Sequence, residues 1–350
     1  MEIREAAPND NAELQALQAQ CPQGRTVIVS IVNTPDFFGR VRAYESHKVF
    51  VACEEDRIIG SAALAIRQGM VNGELSRIGY QFQFFTSPQH RRKGVAKQLH
   101  RQVEDHLFQQ GAALSYCLIM EGNLPSMQLV EDQGFRRHRT LIMASLMVNR
   151  EMEVASRGTV SPVAAEDLGA VARLQNETWQ GYDLYEPTSA EALARFVHRT
   201  PGYRFDHLFV LKDQGAILAC LGFWDWSQIM RIRVEALSLK WRLRGLLRDV
   251  VRRFRPMPRI IKPGEVLRQM MLTPIGFKEP RHLGALLRHI NHQALQREIG
   301  QIFCVCEKGH GLLDSMKGFT RIETELHLYI KPLQRALRDD RPVFIDGIDL

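Results

Sequence analysis

Three cations stand directly before a glycine in the first third of the sequence. Arg91, Arg92 and Lys93 precede Gly94, where a strand-like run at residues 80–86 gives way to a helical pattern. Glycine allows the unusual dihedral angles that a tight strand-to-helix turn needs. Free amide groups at the start of a helix, together with the positive end of its dipole, favour a phosphate. These residues therefore predict a turn that binds a diphosphate, with three side chains that add charge for further phosphates.

The elements around this turn form a recognisable unit. Apolar residues recur every four positions from Val95 to Leu107, which predicts an amphipathic helix of about four turns that ends near Gly111. A second strand is predicted at residues 115–120. Strand, turn, helix and strand make a right-handed crossover with a ligand crevice at the strand's carboxyl end. The turn has neither the Gly-Lys-Ser/Thr of nucleotide-hydrolysing P-loops nor the Gly-x-Gly-x-x-Gly of dinucleotide folds.

The same order of landmarks recurs in the second half of the chain. One offset of 186 residues relates three pairs, and Gly134-Phe135 recurs as Gly318-Phe319 after a two-residue deletion. The three pairs are Gln83 with Gln269, Pro88 with Pro274, and Glu121 with Glu307. Landmarks kept in one order predict a tandem duplication, with a boundary in the charged linker at residues 149–159.

The motifs of the first copy resemble those of the GCN5-related N-acetyltransferase (GNAT) family. Its pattern, Gln/Arg-x-x-Gly-x-Gly/Ala, is matched by Arg91-x-x-Gly94-x-Ala96, and Asn123 and Gly134-Phe135 follow downstream. The resemblance implies an α/β (α+β) chain of two tandem domains, each with a mixed, mainly antiparallel central sheet flanked by helices. Residues 1–150 would form the catalytic domain, 156–335 a degenerate one, and 336–350 a C-terminal tail.

In that family the turn amides bind the pyrophosphate of acyl-CoA, and the preceding strand splays from its neighbour to admit the pantetheine arm. The resemblance therefore implies acetyl-CoA as the acyl donor, with no metal. Backbone contacts to pantetheine would fall on Phe84 and Thr86, and a side-chain contact on Asn123. Asn123 also stands where a helix N-cap is expected, and the two roles are compatible. The phosphates would be held by Arg91, Arg92, Lys93, Gly94, Val95 and Ala96.

The second copy lacks this turn in the alignment at 186 residues. Gly94 becomes Pro280 and Ala96 becomes His282. Proline donates no N–H and cannot take a positive φ. We therefore expect one acyl-CoA site per chain, with the second copy covering that site or shaping the acceptor pocket.

Acetyl transfer to an amine needs a neutral nitrogen, yet only about one lysine-like amine in 2,500 is neutral at pH 7. The resemblance implies a tyrosine as general acid seven residues after Asn123, but Val130 stands there. Two catalytic candidates remain, Tyr80 and Glu121. Tyr80 aligns with Val266, so the fold alone does not require it, although packing in the core is its alternative role. Glu121 is repeated in the copy without the turn, which favours a structural role.

One segment supplies the whole excess of positive charge. The 350-residue chain has a formal net charge of +7, and residues 240–262 carry nine Lys/Arg against Asp249. The segment predicts an amphipathic basic helix, either an ordinary solvated face or a site for an acidic partner, an anionic membrane surface or nucleic acid. No nucleic-acid-binding motif supports the last choice. The scattered cysteines, with only Cys304 and Cys306 close together, predict neither a metal site nor a disulfide.

These observations lead to one main hypothesis about function. We expect a cytoplasmic acyl-CoA-dependent N-acetyltransferase in which a small-molecule or peptide amine attacks the thioester directly. The sequence shows neither a signal peptide nor a membrane span. A non-catalytic acyl-CoA sensor or adaptor is the alternative, because the expected tyrosine is missing. The acceptor, the acyl chain length, the oligomeric state and the roles of the second domain and the basic segment stay open.

Overall fold

A computed structural model describes residues 1–24, 26–154, 158–239 and 261–350 of the chain. All of the basic segment except its last two residues lies outside the described residues, so its predicted helix stays a prediction. The described part contains a twelve-stranded sheet, a three-stranded sheet, and helices on both faces of the larger sheet.

The strands are numbered in chain order. They are β1 (Glu2–Glu5), β2 (Val27–Asn33), β3 (Ser46–Glu54), β4 (Arg57–Val71), β5 (Glu74–Thr86), β6 (Leu114–Met120), β7 (Arg136–Met147), β8 (Thr159–Pro162), β9 (Leu208–Asp213), β10 (Ala216–Asp225), β11 (Met230–Leu237), β12 (Val266–Leu267), β13 (Gln269–Phe277), β14 (Gln301–Glu307) and β15 (Arg321–Pro332). The helices are α1 (Asn11–Ala19), α2 (Val95–Gln109), α3 (Leu124–Asp132), α4 (Leu168–Thr178), α5 (Ala190–Arg199) and α6 (Pro280–Gln296).

The large sheet runs through both halves of the chain. Its order is β1-β3-β4-β5-β6-β15-β7-β14-β13-β10-β9-β8. The pairs β5–β6 and β13–β14 are parallel, and all other neighbours are antiparallel. The mainly antiparallel sheet with flanking helices confirms the fold class expected from the sequence.

The last strand of each half lies beside the other half. β15 pairs with β6, and β7 pairs with β14, so that β15 and β7 meet in the middle of the sheet. The strand order is therefore symmetric about this central pair. Each half depends on the other to complete its part of the sheet.

Small residues let α2 lie close to the sheet. An added Cβ at Gly60 would be 2.6 Å from Val95, and one at Gly79 would be 2.5 Å from Leu107. These two strand glycines face opposite ends of α2, whose apolar stripe is fully buried on β3, β4 and β5. Close packing of this kind fixes where the helix begins, and hence where the preceding turn lies.

Two β-bulges correct the alignment of the two halves. In β5 the residues between Phe82 and Phe85 bulge opposite β4, and in β13 those between Leu272 and Ile275 bulge opposite β10. Matching the bulges gives an offset of 190 in these strands. The proposed match of Pro88 with Pro274 is therefore wrong, because Pro274 lies inside the bulge.

The same correction changes two other comparisons and leaves a third unchanged. The counterpart of Gln83 is Thr273 and not Gln269, and the counterpart of Tyr80 is Met270 and not Val266. Glu121 and Glu307 still correspond, because β6 and β14 keep the offset of 186. The misalignment arose because the second half has a shorter connection between its strand and helix.

The C-terminal residues pack in the interior. Asp183 forms a backbone bridge with Val343, and the buried residues Ile345, Ile348 and Asp349 lie in the core next to β5 and β13. All six cysteines are free thiols. No helix among the described residues is long and apolar enough to span a membrane.

Candidate active site

The first half contains an opening between two parallel strands. β5 and β6 pair only from Ile78 to Tyr80 and from Leu114 to Tyr116, although β5 continues to Thr86 and β6 to Met120. Beyond the last pair the two strands are joined to other neighbours, β4 and β15. The facing edges of β5 and β6 therefore diverge, as the family resemblance implies for a strand pair that admits a pantetheine arm.

The basic turn lies at the open end of this gap. Arg91, Arg92, Lys93 and Gly94 are all exposed, and Gly94 has a φ of +83° at the N-terminus of α2. Arg92 also has a positive φ, of 63°. No side chain of the described residues caps the first turn of α2. The turn thus has the dihedral angles that the sequence predicted, and the amides at the helix start keep no side-chain partner.

The bulge in β5 leaves a buried amide without a partner. Gln83 has a φ of +52°, its side chain is buried, and neither its Nε2 nor its Oε1 has a hydrogen-bond partner in the described part of the chain. A buried unsatisfied amide is unfavourable by roughly 1–3 kcal/mol. Groups of this kind are expected where a polar ligand supplies the missing donor and acceptor.

Phe84, the second residue of the bulge, stacks on His100 of α2 with ring centroids 3.9 Å apart. Burial lowers the pKa of His100 to about 4, with a smaller effect from Lys331. The imidazole is therefore neutral at pH 7, and its Nδ1–H donates a 3.0 Å hydrogen bond to Oε1 of Gln81, whose Nε2 donates to Ser115. This contact holds the bulge against the helix that follows the basic turn.

Tyr80 lies at the point where the two strands separate. Its ring stacks between Phe82 and Tyr116, with centroids 4.8 and 5.0 Å away. The phenol donates a hydrogen bond to the backbone carbonyl of Asp349, and an Nη2 of Arg40 lies 3.4 Å from its oxygen. Burial raises the pKa of Tyr80, so its hydroxyl keeps the proton at neutral pH.

A buried polar network holds the C-terminal segment against Tyr80. The carboxylate of Asp349 accepts hydrogen bonds from Tyr44 at 2.9 Å and from Tyr116 at 2.8 Å. The same carboxylate lies 3.2 Å from Arg67, whose Nη2 and Nε also donate to the Tyr116 hydroxyl. Because each of these side chains has a hydrogen-bond partner, the network holds the Asp349 carbonyl in place, and this carbonyl accepts the hydrogen bond from Tyr80.

Glu121 is not part of this cluster. It follows β6, five residues beyond Tyr116, which corresponds to roughly 16 Å along a strand. Its carboxylate bonds to Nε2 of His327 at 2.5 Å, and this contact lowers the pKa of Glu121. His327 pairs with Ile119, whose side chain lies on the sheet face opposite Tyr116. The structure therefore separates the two residues that the sequence suggested for catalysis.

Glu121, Glu325 and His327 have potential metal-ligand atoms within 4.8 Å of one another. Thr140 hydrogen-bonds to Nδ1 of His327 at 3.0 Å. The His327–Glu121 hydrogen bond already uses both groups, so these two side chains need no added cation. The absence of a metal from the mechanism stays a prediction.

Asn123 takes the position that precedes α3 but does not cap the helix with its side chain. It is exposed, and its backbone N–H bonds to the carbonyl of Met120 at 3.1 Å. Thr86 is half-buried, and its carbonyl accepts a hydrogen bond from the Cys21 thiol at 3.3 Å. Both residues border the open end of the gap between β5 and β6.

The equivalent gap in the second half is filled by the protein itself. β13 and β14 also separate after three paired residues, but Trp179 donates to the carbonyl of Ile275 at 2.8 Å. The C-terminal segment enters beside it, and an added Cβ at Gly347 would be 2.4 Å from the carbonyl oxygen of Leu272. The remaining cavity is ≈ 10 Å³, too small for more than one water.

The second half also lacks room for a phosphate turn. Only Lys278 and Glu279 join β13 to α6, whereas eight residues join β5 to α2. The expected replacement of Gly94 by Pro280 is thus a deletion that starts the helix at once. Because this connection is short and the gap beside it is filled, the open strand pair is that of the first half.

Five residues of the Tyr80 cluster were not identified from the sequence: Arg40, Tyr44, Arg67, Tyr116 and Asp349. They come from separate loops and strands and lie far apart in the chain. The pattern of Tyr116 within an apolar strand indicated only burial. The polar Asp346–Gly347–Ile348–Asp349 sequence in an otherwise apolar terminus was the one local signal of a buried turn.

Comparison with known proteins identifies relatives of the first half by sequence and of the whole chain by fold. Residues 14–135 match the sequence model of the Acetyltransferase (GNAT) family. This segment contains the last two thirds of α1, the β5 bulge, the basic turn and α2, so the match confirms the resemblance stated from the motifs. No curated protein sequence matches the chain significantly.

Several solved structures share the fold of the whole chain. Saccharomyces cerevisiae N-myristoyltransferase with bound myristoyl-CoA has a TM-score of 0.65 and 10% identity, with 98% of this chain and 85% of that chain covered. A GCN5-related glucosamine N-acetyltransferase region of a fungal multi-domain GH3 β-N-acetylglucosaminidase has a TM-score of 0.61 and 14% identity, with 94% of this chain and 38% of that chain covered. A GCN5-related N-acetyltransferase from Anabaena variabilis has a TM-score of 0.55 and 11% identity, with 95% of this chain and 72% of that chain covered. At these identities the likeness shows the fold alone.

Proposed function

Because the first half carries a GNAT-family domain, we propose that the protein is an acyl-CoA-dependent N-acyltransferase with one active site, between β5 and β6. The observation that carries the proposal is the open strand pair that leads to the basic turn at Gly94. The turn offers amides and three cations for the phosphates, and the orphaned amide of Gln83 offers both a donor and an acceptor to the pantetheine arm.

Phe84, Thr86, Asn123 and the turn from Arg91 to Ala96 are the proposed donor-binding residues. They border the same gap, and Arg91, Arg92, Lys93 and Gly94 are exposed. An extended arm that begins at the turn and follows β5 inwards would bring its thioester to the apex of the gap, where Tyr80 lies. The residues present therefore fit a CoA-linked donor.

Tyr80 is the proposed catalytic residue. Its raised pKa keeps the phenol protonated, which suits a hydrogen-bond donor or general acid and not a general base. In direct transfer, the neutral amine attacks the thioester carbon, the C–N bond forms and the C–S bond breaks. The phenol would then donate its proton to the leaving sulfur, and the proton lost by the attacking nitrogen would return to the phenolate through water, so that the amide, the free thiol and the neutral Tyr80 are formed. Glu121 is proposed instead to hold the end of β6 through His327.

We propose a short acyl chain, acetyl being the smallest. Four aromatic side chains fill the space at the apex, and all are at most 6% exposed: Tyr44, Tyr80, Phe82 and Tyr116. A long chain would have to displace them. The cytoplasmic location, the duplication and an acidic partner for residues 240–262 remain proposals from the sequence.

The test is acyl transfer with purified protein, acetyl-CoA and longer acyl-CoA donors, and a broad panel of amines. Release of CoA that depends on an amine, with the acylated amine found by mass spectrometry, is the expected result. Acetyl-CoA that raises the thermal unfolding temperature without turnover of any amine would instead favour the sensor or adaptor.

A further inference from the structure

Arg40, beside Tyr80, is a cation without an anionic partner among the described residues. It lies between two short turns in the connection from β2 to β3, and its guanidinium faces the rings of Phe82 at 4.9 Å and Trp226 at 5.5 Å. No carboxylate of the described residues forms an ion pair with it. Its two hydrogen bonds are long, 3.4 Å to the Tyr80 hydroxyl and 3.3 Å to the Asp349 carbonyl.

Two buried donors in this place have no acceptor in the part of the chain that the structure describes. Nε of Arg40 is one, and Nε1 of Trp226 is the other. Trp226 is only 6% exposed, so solvent does not replace the missing acceptor. The two donors come from opposite halves of the chain and meet across the guanidinium–indole contact.

The two aspartate side chains of the C-terminal segment already have other partners. Asp349 is bound by Tyr44, Tyr116 and Arg67, and Asp346 accepts a 2.6 Å hydrogen bond from Thr273. A water molecule would supply one neutral oxygen and no charge. A carboxylate supplies two acceptor oxygens and the missing negative charge, in the geometry that a guanidinium prefers.

We propose that Arg40 and Trp226 bind the carboxylate of the acceptor, and that the acceptor is an amine with a nearby carboxylate, such as a free α-amino acid. The proposal rests on the acyl-transfer function proposed above. In an α-amino acid the amine is one carbon from the carboxylate. Binding of the carboxylate at Arg40 therefore places the amine near Tyr80, at the apex where the thioester is expected.

The experiment compares free amino acids with their amides, for example glycine with glycinamide and L-phenylalanine with L-phenylalaninamide. Binding is measured by calorimetry, and acyl transfer from acetyl-CoA is measured at equal concentrations of the neutral amine. Arg40→Gln removes the cation, and Arg40→Lys keeps the charge without the forked geometry. Arg42→Gln is the matched control, because Arg42 lies two residues away, is exposed and pairs with Asp36.

In the parent protein we expect the free acids to bind at least about tenfold more tightly than the amides. Arg40→Gln should weaken acid binding about thirtyfold and leave amide binding unchanged, with partial recovery in Arg40→Lys. Arg42→Gln should behave as the parent. Equal binding of acid and amide by the parent would overturn the carboxylate site.

The two proposals fail in different ways. If the acids bind selectively through Arg40 but no amine is acylated, the carboxylate site stands and the transferase function is wrong. If acids and amides are acylated equally and Arg40→Gln changes neither rate, the transferase function stands and the carboxylate site is wrong.

Discussion

Tyr80 donates its phenolic hydrogen to the backbone carbonyl of Asp349, which is 269 residues further along the chain. The contact joins the apex of the open strand pair in the first half to the C-terminal segment. Both halves therefore contribute to the proposed site, since the turn that carries Asp349 packs against β13. A buried phenol held in this way is oriented before a substrate arrives.

Removal of the Tyr80 hydroxyl should affect catalysis more than donor binding. We expect Tyr80→Phe to lower kcat at least several-fold more than it changes the KM for acetyl-CoA, because the phenol acts after the donor is bound. Tyr203→Phe is the control, since the Tyr203 hydroxyl is also buried and donates to a backbone carbonyl, that of Thr273. Each change should lower stability by about 1 kcal/mol. Equal kcat values for Tyr80→Phe and the parent would show that Tyr80 only packs in the core and has no catalytic role.

The turn at Gly94 should be essential for CoA binding. Gly94→Val places a β-branched residue at a φ of +83°, and Gly111→Val does the same at +73° at the other end of α2. An added Cβ meets no atom within 4 Å at either position, so both variants should lose about 1–2 kcal/mol of stability from strain alone. Only Gly94→Val should weaken CoA binding in calorimetry, by at least about tenfold. Similar losses of affinity in both variants would show a global effect instead.

One molecule of CoA should bind per chain. The second strand pair is filled by Trp179 and the C-terminal segment, and two residues replace the phosphate turn. Titration calorimetry with CoA should therefore give a stoichiometry of one, which Gly94→Val abolishes. Two equivalent sites in the parent protein would contradict the assignment of the second half.

Stability should fall in acid because of His100. Its pKa is about 4 in the folded protein and 6.5 in the unfolded chain, so the unfolded state binds the proton first. As the pH falls from 7 to 5, this difference should remove about 2 kcal/mol from the free energy of unfolding. His100→Gln cannot titrate in this range, so urea unfolding at the two pH values should show a smaller loss. If the parent and His100→Gln lose the same free energy of unfolding between pH 7 and pH 5, His100 takes up its proton in the folded protein as readily as in the unfolded chain.

The local parts of the fold were predictable because they depend on neighbours in sequence. The helix expected from Val95 begins there, the strand expected at residues 115–120 is β6, and Gly94 takes the dihedral angle that its turn required. Periodicity and turn chemistry act over a few residues, so each of these elements has its own signal in the sequence.

The cluster around Tyr80 could not be predicted in the same way. Arg40, Asp349 and Trp226 meet only because the two halves share a sheet, and no spacing in the sequence encodes that contact. The misplaced match of Pro274 had a related cause. A constant offset does not detect a shortened connection, whereas a backbone bulge marks equivalent positions directly.

The exchange of last strands also determines when the chain can finish folding. β6 receives its second neighbour, β15, only after about 200 more residues have been synthesised. At a ribosomal rate of 5–20 residues per second, the edge of β6 stays without its partner for roughly 10–40 s. An uncovered strand edge is a template for pairing with another chain. A nascent or truncated chain that stops before residue 321 should therefore expose an aggregation-prone edge, and the first half should become stable only after β15 has been synthesised.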